Sequence, residues 1–173
     1  MRRNFFSKGG MIALGGILAA GSLVLLLLAS VLPVWRTGVT ALSGLFPMVG
    51  VLAAGRITGY LCWFAAGMLG LMLLPDKGVA LLYLLLLGLY PVLKERIESI
   101  RKLSIEWTVK LIYFNAALTI LWWFFRAIVL PQPPVWLNNS SALLYAVGNI
   151  VFVCYDFLLS RMVALLRGRL GLK

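Results

Sequence analysis

Asn115, Thr119, Trp122 and Arg126 fall at i, i+4, i+7 and i+11, so at 100° per residue they share one face of a helix. Tyr145, Asn149, Asp156 and Ser160 form a second such face, and Tyr83 and Tyr90 add phenols seven residues apart in an earlier stretch. Carboxamides, a guanidinium, phenols and an indole suit hydrogen bonding and stacking on a small organic solute. The chain has no His, no P-loop, no nucleophile elbow, no HExxH and no paired acids within its apolar stretches, so no enzyme activity and no cofactor is expected. A metal ion is not expected either, because Cys62 and Cys154 stand far apart with no CxxC spacing, and cobalt or nickel would want imidazole or carboxylate ligands. Work driven by ATP would need another subunit.

The elements that carry these faces are apolar. Six stretches, at about 9–35, 37–55, 57–75, 78–93, 103–130 and 141–162, take up most of the 173 residues, and hydrophobic residues make up 62% with a mean hydropathy of +1.01. A crossing of about 30 Å of hydrocarbon takes roughly 20 apolar residues, and lipid offers no partner to a backbone amide, so each crossing is a helix. The expected fold is therefore all-α: one transmembrane domain over residues 1–173, a polytopic bundle of six helices in the lipid bilayer of a prokaryotic plasma membrane.

Charge sets the expected topology. Sixteen Lys and Arg face five acids, for a net +11. The cations stand at the ends of apolar stretches and form no separate basic face, which argues against nucleic acid as a partner. With the N-terminus inside, Arg2, Arg3, Lys8, Arg56, Lys94, Arg96, Arg101, Lys102, Lys110, Arg161, Arg167, Arg169 and Lys173 are cytoplasmic, and only Arg36, Lys77 and Arg126 lie outside. That asymmetry favours an even number of crossings with both termini cytoplasmic. Residues 9–35 are too long for the core of a signal peptide and end in no A-x-A site, so the first span is expected to be retained.

Small residues mark packing faces. Gly15, Gly16, Ala19 and Ala20 give two overlapping small-xxx-small pairs in the first span, extended by Gly9 and Ala13, and the third span repeats the device with Gly55, Gly59, Cys62, Ala66, Gly67 and Gly70. Such rows pack either within the bundle or against another membrane subunit. Pro47 frees a backbone carbonyl and is expected to kink the second span. Asp156 is expected to pair with antiparallel Lys110 or a hydroxyl. Residues 94–102 read as an amphipathic prolongation of the fourth span, and residues 131–140, with three prolines and Trp136, as a stiff outer loop in which Asn138 and Asn139 satisfy N-x-[ST].

Six spans in under 200 residues, the Gly15-x-x-x-Ala19 and Gly16-x-x-x-Ala20 row, and polar residues gathered in the last three spans together resemble the substrate-binding S component of an energy-coupling factor transporter. The resemblance implies that Gly15, Gly16, Ala19 and Ala20 meet a transmembrane coupling subunit served by ATPase subunits. It also implies that Asn115, Arg126 and Asn149 contact a vitamin-like solute near the outer face. The faces above add Thr119, Trp122, Tyr145, Tyr83 and Tyr90 to the expected solute contacts. This chain has Gly at two docking positions where that family typically has Ala, and only a short outer loop around Arg36. Two other readings stay open: a membrane scaffold that transports nothing, and a small channel or secondary carrier that works alone.

Overall fold

A computed structural model describes residues 7–32, 34–100, 102–128 and 141–170, apart from the side chains of 124–128, 141, 169 and 170. The expectations for the Arg126 side chain, for Arg2, Arg3 and Arg101, and for residues 131–140 with Trp136, Asn138 and Asn139 lie outside the described residues. All regular structure among the described residues is helical: α1 (Lys8–Val31), α2 (Arg36–Ser43), α3 (Leu45–Ala54), α4 (Arg56–Leu73), α5 (Lys77–Leu82), a π-helical turn (Tyr83–Leu87), α6 (Leu89–Glu98), α7 (Leu103–Ile128) and α8 (Ser141–Leu170). Five stretches are long and apolar enough to cross a membrane: 8–31, 36–54, 56–73, 77–98 and 142–168. They match five of the six expected spans. The remaining expected span corresponds to α7, of which the side chains of 124–128 lie outside the described residues.

The chain divides into two compact units, residues 1–96 and 97–173. In the first, Ser7 caps α1 by accepting from Gly10 N at 3.2 Å. The buried positions of α1 (Gly15, Ala19, Ser22, Leu26, Ala29) recur every three or four residues, and Gly15 lies against Thr58 and Leu61 of α4. Their small size lets the two helices approach closely, which is how helices gain contact energy in lipid. Ala19, Leu26, Ala29, Cys62, Ala66, Leu74, Val79, Ala80 and Tyr83 form the core.

Between α3 and α4 the chain reverses at Gly55, whose φ of 101° suits glycine. α3 and α4 then meet backbone to backbone, since a Cβ on Gly50 would lie 3.4 Å from Gly59 Cα. At the far end of α4, Lys77 Nζ donates to Leu71 O at 2.7 Å, satisfying a terminal carbonyl, while Asp76 caps α5 through Gly78 N at 2.9 Å. Asp76 also holds Arg36 at 2.8 Å.

Two helices of this unit are interrupted, and the interruptions meet. The expected kink lies at Gly44, three residues before Pro47, and α3 runs on through Pro47. A Cβ on Gly44 would strike the Leu87 carbonyl of the π turn, so only glycine allows this approach. The turn itself closes with Gly88 N donating to Tyr83 O at 2.8 Å, five residues back.

In the second unit α7 and α8 pack as an antiparallel pair. Four rungs keep one register: Lys110 with Asp156, Phe114 with Phe152, Asn115 with Asn149 and Thr119 with Tyr145. α8 runs on to Leu170, beyond residue 162 where the expected apolar span ends.

Candidate functional site

The polar faces expected to line a solute site do meet on α7 and α8, and they bond to each other. Asn115 Nδ2 donates to Asn149 Oδ1 and Asn149 Nδ2 to Asn115 Oδ1, each at 3.1 Å. Their remaining amide hydrogens go to the Leu111 and Tyr145 carbonyls at 2.8 Å. Both NH₂ groups are thereby saturated. One turn further along α7, Thr119 Oγ1 and Tyr145 Oη lie 2.7 Å apart, with Thr119 exposed and Tyr145 half-buried. Trp122 is half-buried on α7. Tyr83 and Tyr90 belong to the first unit and are fully buried there, so solvent does not reach either ring.

Below the amide pair, Phe114 stacks on Phe152 with centroids 4.4 Å apart, and then comes an ionic centre. Lys110 Nζ donates to Glu106 at 2.7 Å, to Glu98 at 3.2 Å and to Asp156 at 3.2 Å. An ammonium has three protons, and each is used on a different carboxylate. The Lys110 and Asp156 side chains are 2% and 4% exposed, so the pair expected from sequence is desolvated and depends on these contacts. Trp107 places its ring centroid 5.3 Å from Nζ. With Arg36 on Asp76 and Arg56 on Glu95 at 2.6 Å, all five acids of the chain stand in ion pairs.

The first unit has a buried polar node that the sequence analysis does not single out. Pro47 has no N–H to give to Ser43 O, and Ser22 Oγ of α1 donates to that carbonyl at 3.1 Å. The same hydroxyl lies 3.0 Å from Tyr83 Oη. Ser43 Oγ donates to Thr40 O at 2.7 Å, and the Trp63 indole donates to Leu84 O of the π turn at 3.0 Å. Carbonyls displaced from regular helix are thus taken up by side chains of α1 and α4. The signal in the sequence is Pro47 four residues after Ser43; the donor, Ser22, is marked by nothing local.

The four small residues of α1 divide. Gly15 and Ala19 are buried, whereas Gly16 and Ala20 are exposed, and a Cβ on Gly16 would meet no atom within 4 Å. Gly9 and Ala13 are exposed with them. No family model, curated protein or solved structure matches the chain. Among the described residues no cluster of His, Cys, Asp and Glu could hold a metal ion.

Proposed function

We propose that this chain is an integral membrane subunit that captures a small organic solute for an ATP-driven uptake transporter and docks to a transmembrane coupling partner through α1. The observation that supports this reading is the division of α1. One small-residue row, Gly15 and Ala19, is closed within the first unit; the other, Gly9, Ala13, Gly16 and Ala20, is open. In lipid an open small-residue row gains most from a helix backbone that can approach it. Solute contacts are assigned to the α7 and α8 faces beyond the amide pair, at Thr119, Trp122 and Tyr145, with Arg126 kept from the sequence pattern alone.

The experiment is purification of the full chain from its native membrane, wild type against Gly16→Leu with Ala20→Leu. Coupling and ATPase subunits should accompany the wild type and be lost from the variant, whose melting temperature should stay the same because the substituted positions are exposed. Failure of the wild type to bring down such subunits rejects the reading.

A second reading, a scaffold that binds no solute, is favoured by the Asn115 and Asn149 amides, which use all their hydrogens on each other and on helix carbonyls. Under that reading, no solute that co-purifies with the chain raises its melting temperature.

A further inference from the structure

One end of the second unit joins uncompensated cations to exposed apolar side chains. α8 is 30 residues long, about 45 Å at 1.5 Å per residue, whereas hydrocarbon is about 30 Å thick. A crossing that begins at Ser141 is complete near Ser160, and residues 161–170 continue beyond it as helix. No acid follows Asp156. Arg161 and Arg167 are exposed in this overhang. The register of the α7 and α8 rungs puts Lys102, also exposed, level with residues 162–164. The carboxylates at this end, Glu98 and Glu106, are bound to Lys110. Lys102, Arg161 and Arg167 make no ion pair among the described residues.

Leu103 follows Lys102, and Leu158 and Leu165 share a face of α8 with Arg161, whereas Arg167 lies on another face; the three leucines are 75%, 63% and 64% exposed. Cations alone would suit any polyanion. Cations interleaved with bare leucines suit a ligand that has an anionic head and an apolar tail, because a wholly polar partner would leave the leucines in water. Long basic side chains at a helix end also reach the headgroup layer while their stems stay on apolar surface.

We propose that this end of the α7 and α8 pair binds anionic phospholipids, with their phosphates at Lys102, Arg161 and Arg167 and their acyl chains along Leu103, Leu158 and Leu165. The test uses the full chain in mixed micelles titrated with phosphatidylglycerol or phosphatidylcholine, with lipid retention and melting temperature as readouts. Wild type should retain phosphatidylglycerol in preference to phosphatidylcholine, and the preference should shrink as salt is raised. K102Q/R161Q/R167Q should lose it by roughly fivefold per cation removed, while melting unchanged in phosphatidylcholine. R161K/R167K should keep most of it, since charge is retained.

Equal retention of the two lipids by the wild type, or an undiminished preference in the triple variant, would overturn the proposal. Stabilisation by inorganic phosphate equal to that by phosphatidylglycerol would reassign the cations to a free anion, and an oligonucleotide that displaces the lipid would reassign them to nucleic acid. Either result rejects the lipid.

Discussion

Asn115 and Asn149 exchange amide hydrogens across α7 and α8, each Nδ2 lying 3.1 Å from the other's Oδ1. Such reciprocity fixes register, because sliding either helix by one residue breaks both bonds at once. Each residue keeps a second bond to a carbonyl on its own helix, so the pair stays together without water or a ligand. Bonding of this kind is what a structural role requires, and it leaves neither amide a hydrogen for a solute.

A double-mutant cycle tests that division. Asn115→Ala and Asn149→Ala should each lower stability, and together by less than the sum, with a coupling of about 0.6 to 1.7 kcal/mol as found for hydrogen bonds between membrane helices. Thermal or denaturant unfolding in micelles gives the four stabilities. Additive losses would mean that the amides do not act on each other.

Lys110 has a sharper dependence on its neighbours. Lys110→Met would leave Glu98, Glu106 and Asp156 facing one another without their shared ammonium. Removing one partner from a buried ion pair costs about 3 to 5 kcal/mol. Combining Lys110→Met with Asp156→Asn should recover part of that loss, because one of the three mutually repelling carboxylates is then neutral. The check is the order of melting temperatures: wild type, then the double variant, then Lys110→Met.

These two centres were legible in the sequence to different depths. With only five acids in the chain, an antiparallel Lys110 and Asp156 at similar depth had few other partners, and each of the two Asn residues was placed on the polar face of its helix by spacing alone. That the amides would saturate each other was not legible, because it depends on a register set by packing such as Phe114 on Phe152. The π turn was invisible for a related reason. Tyr83–Leu87 is mostly leucine, and the groups that make the extra residue tolerable, Trp63 and Gly44, are distant in sequence. α8 outruns the expected apolar span, 141–162, because cations such as Arg161 mark where an apolar stretch stops, whereas a helix continues wherever its residues allow.

Glycines of the first unit should separate into two classes. Gly44→Ala pushes a methyl group into the Leu87 carbonyl, a backbone atom that cannot rotate away, so either the α2 and α3 junction or the π turn must move. A loss of about 1 to 3 kcal/mol is expected for such overpacking. Gly16→Ala meets nothing within 4 Å and should be neutral or slightly stabilising, as Ala is the better helix former. Melting temperatures of the two variants, side by side, decide whether the two interruptions pack on each other as described.

Ser22 offers the last test. Its hydroxyl serves the Ser43 carbonyl that Pro47 leaves without an amide, and it does so in a fully buried place where water cannot substitute. Ser22→Ala should therefore cost about 1 to 3 kcal/mol, the desolvation penalty of an orphaned buried polar group. If Pro47 is the reason the hydroxyl is needed, Pro47→Ala supplies an N–H to Ser43 O and makes Ser22 dispensable. Ser22→Ala should then be nearly harmless in the Pro47→Ala background. Tyr83→Phe, which removes the phenol 3.0 Å from the same hydroxyl, should destabilise in both backgrounds, because its loss leaves the π turn and α1 without that link. An equal cost for Ser22→Ala with and without the proline would show that the serine is held for Tyr83 alone.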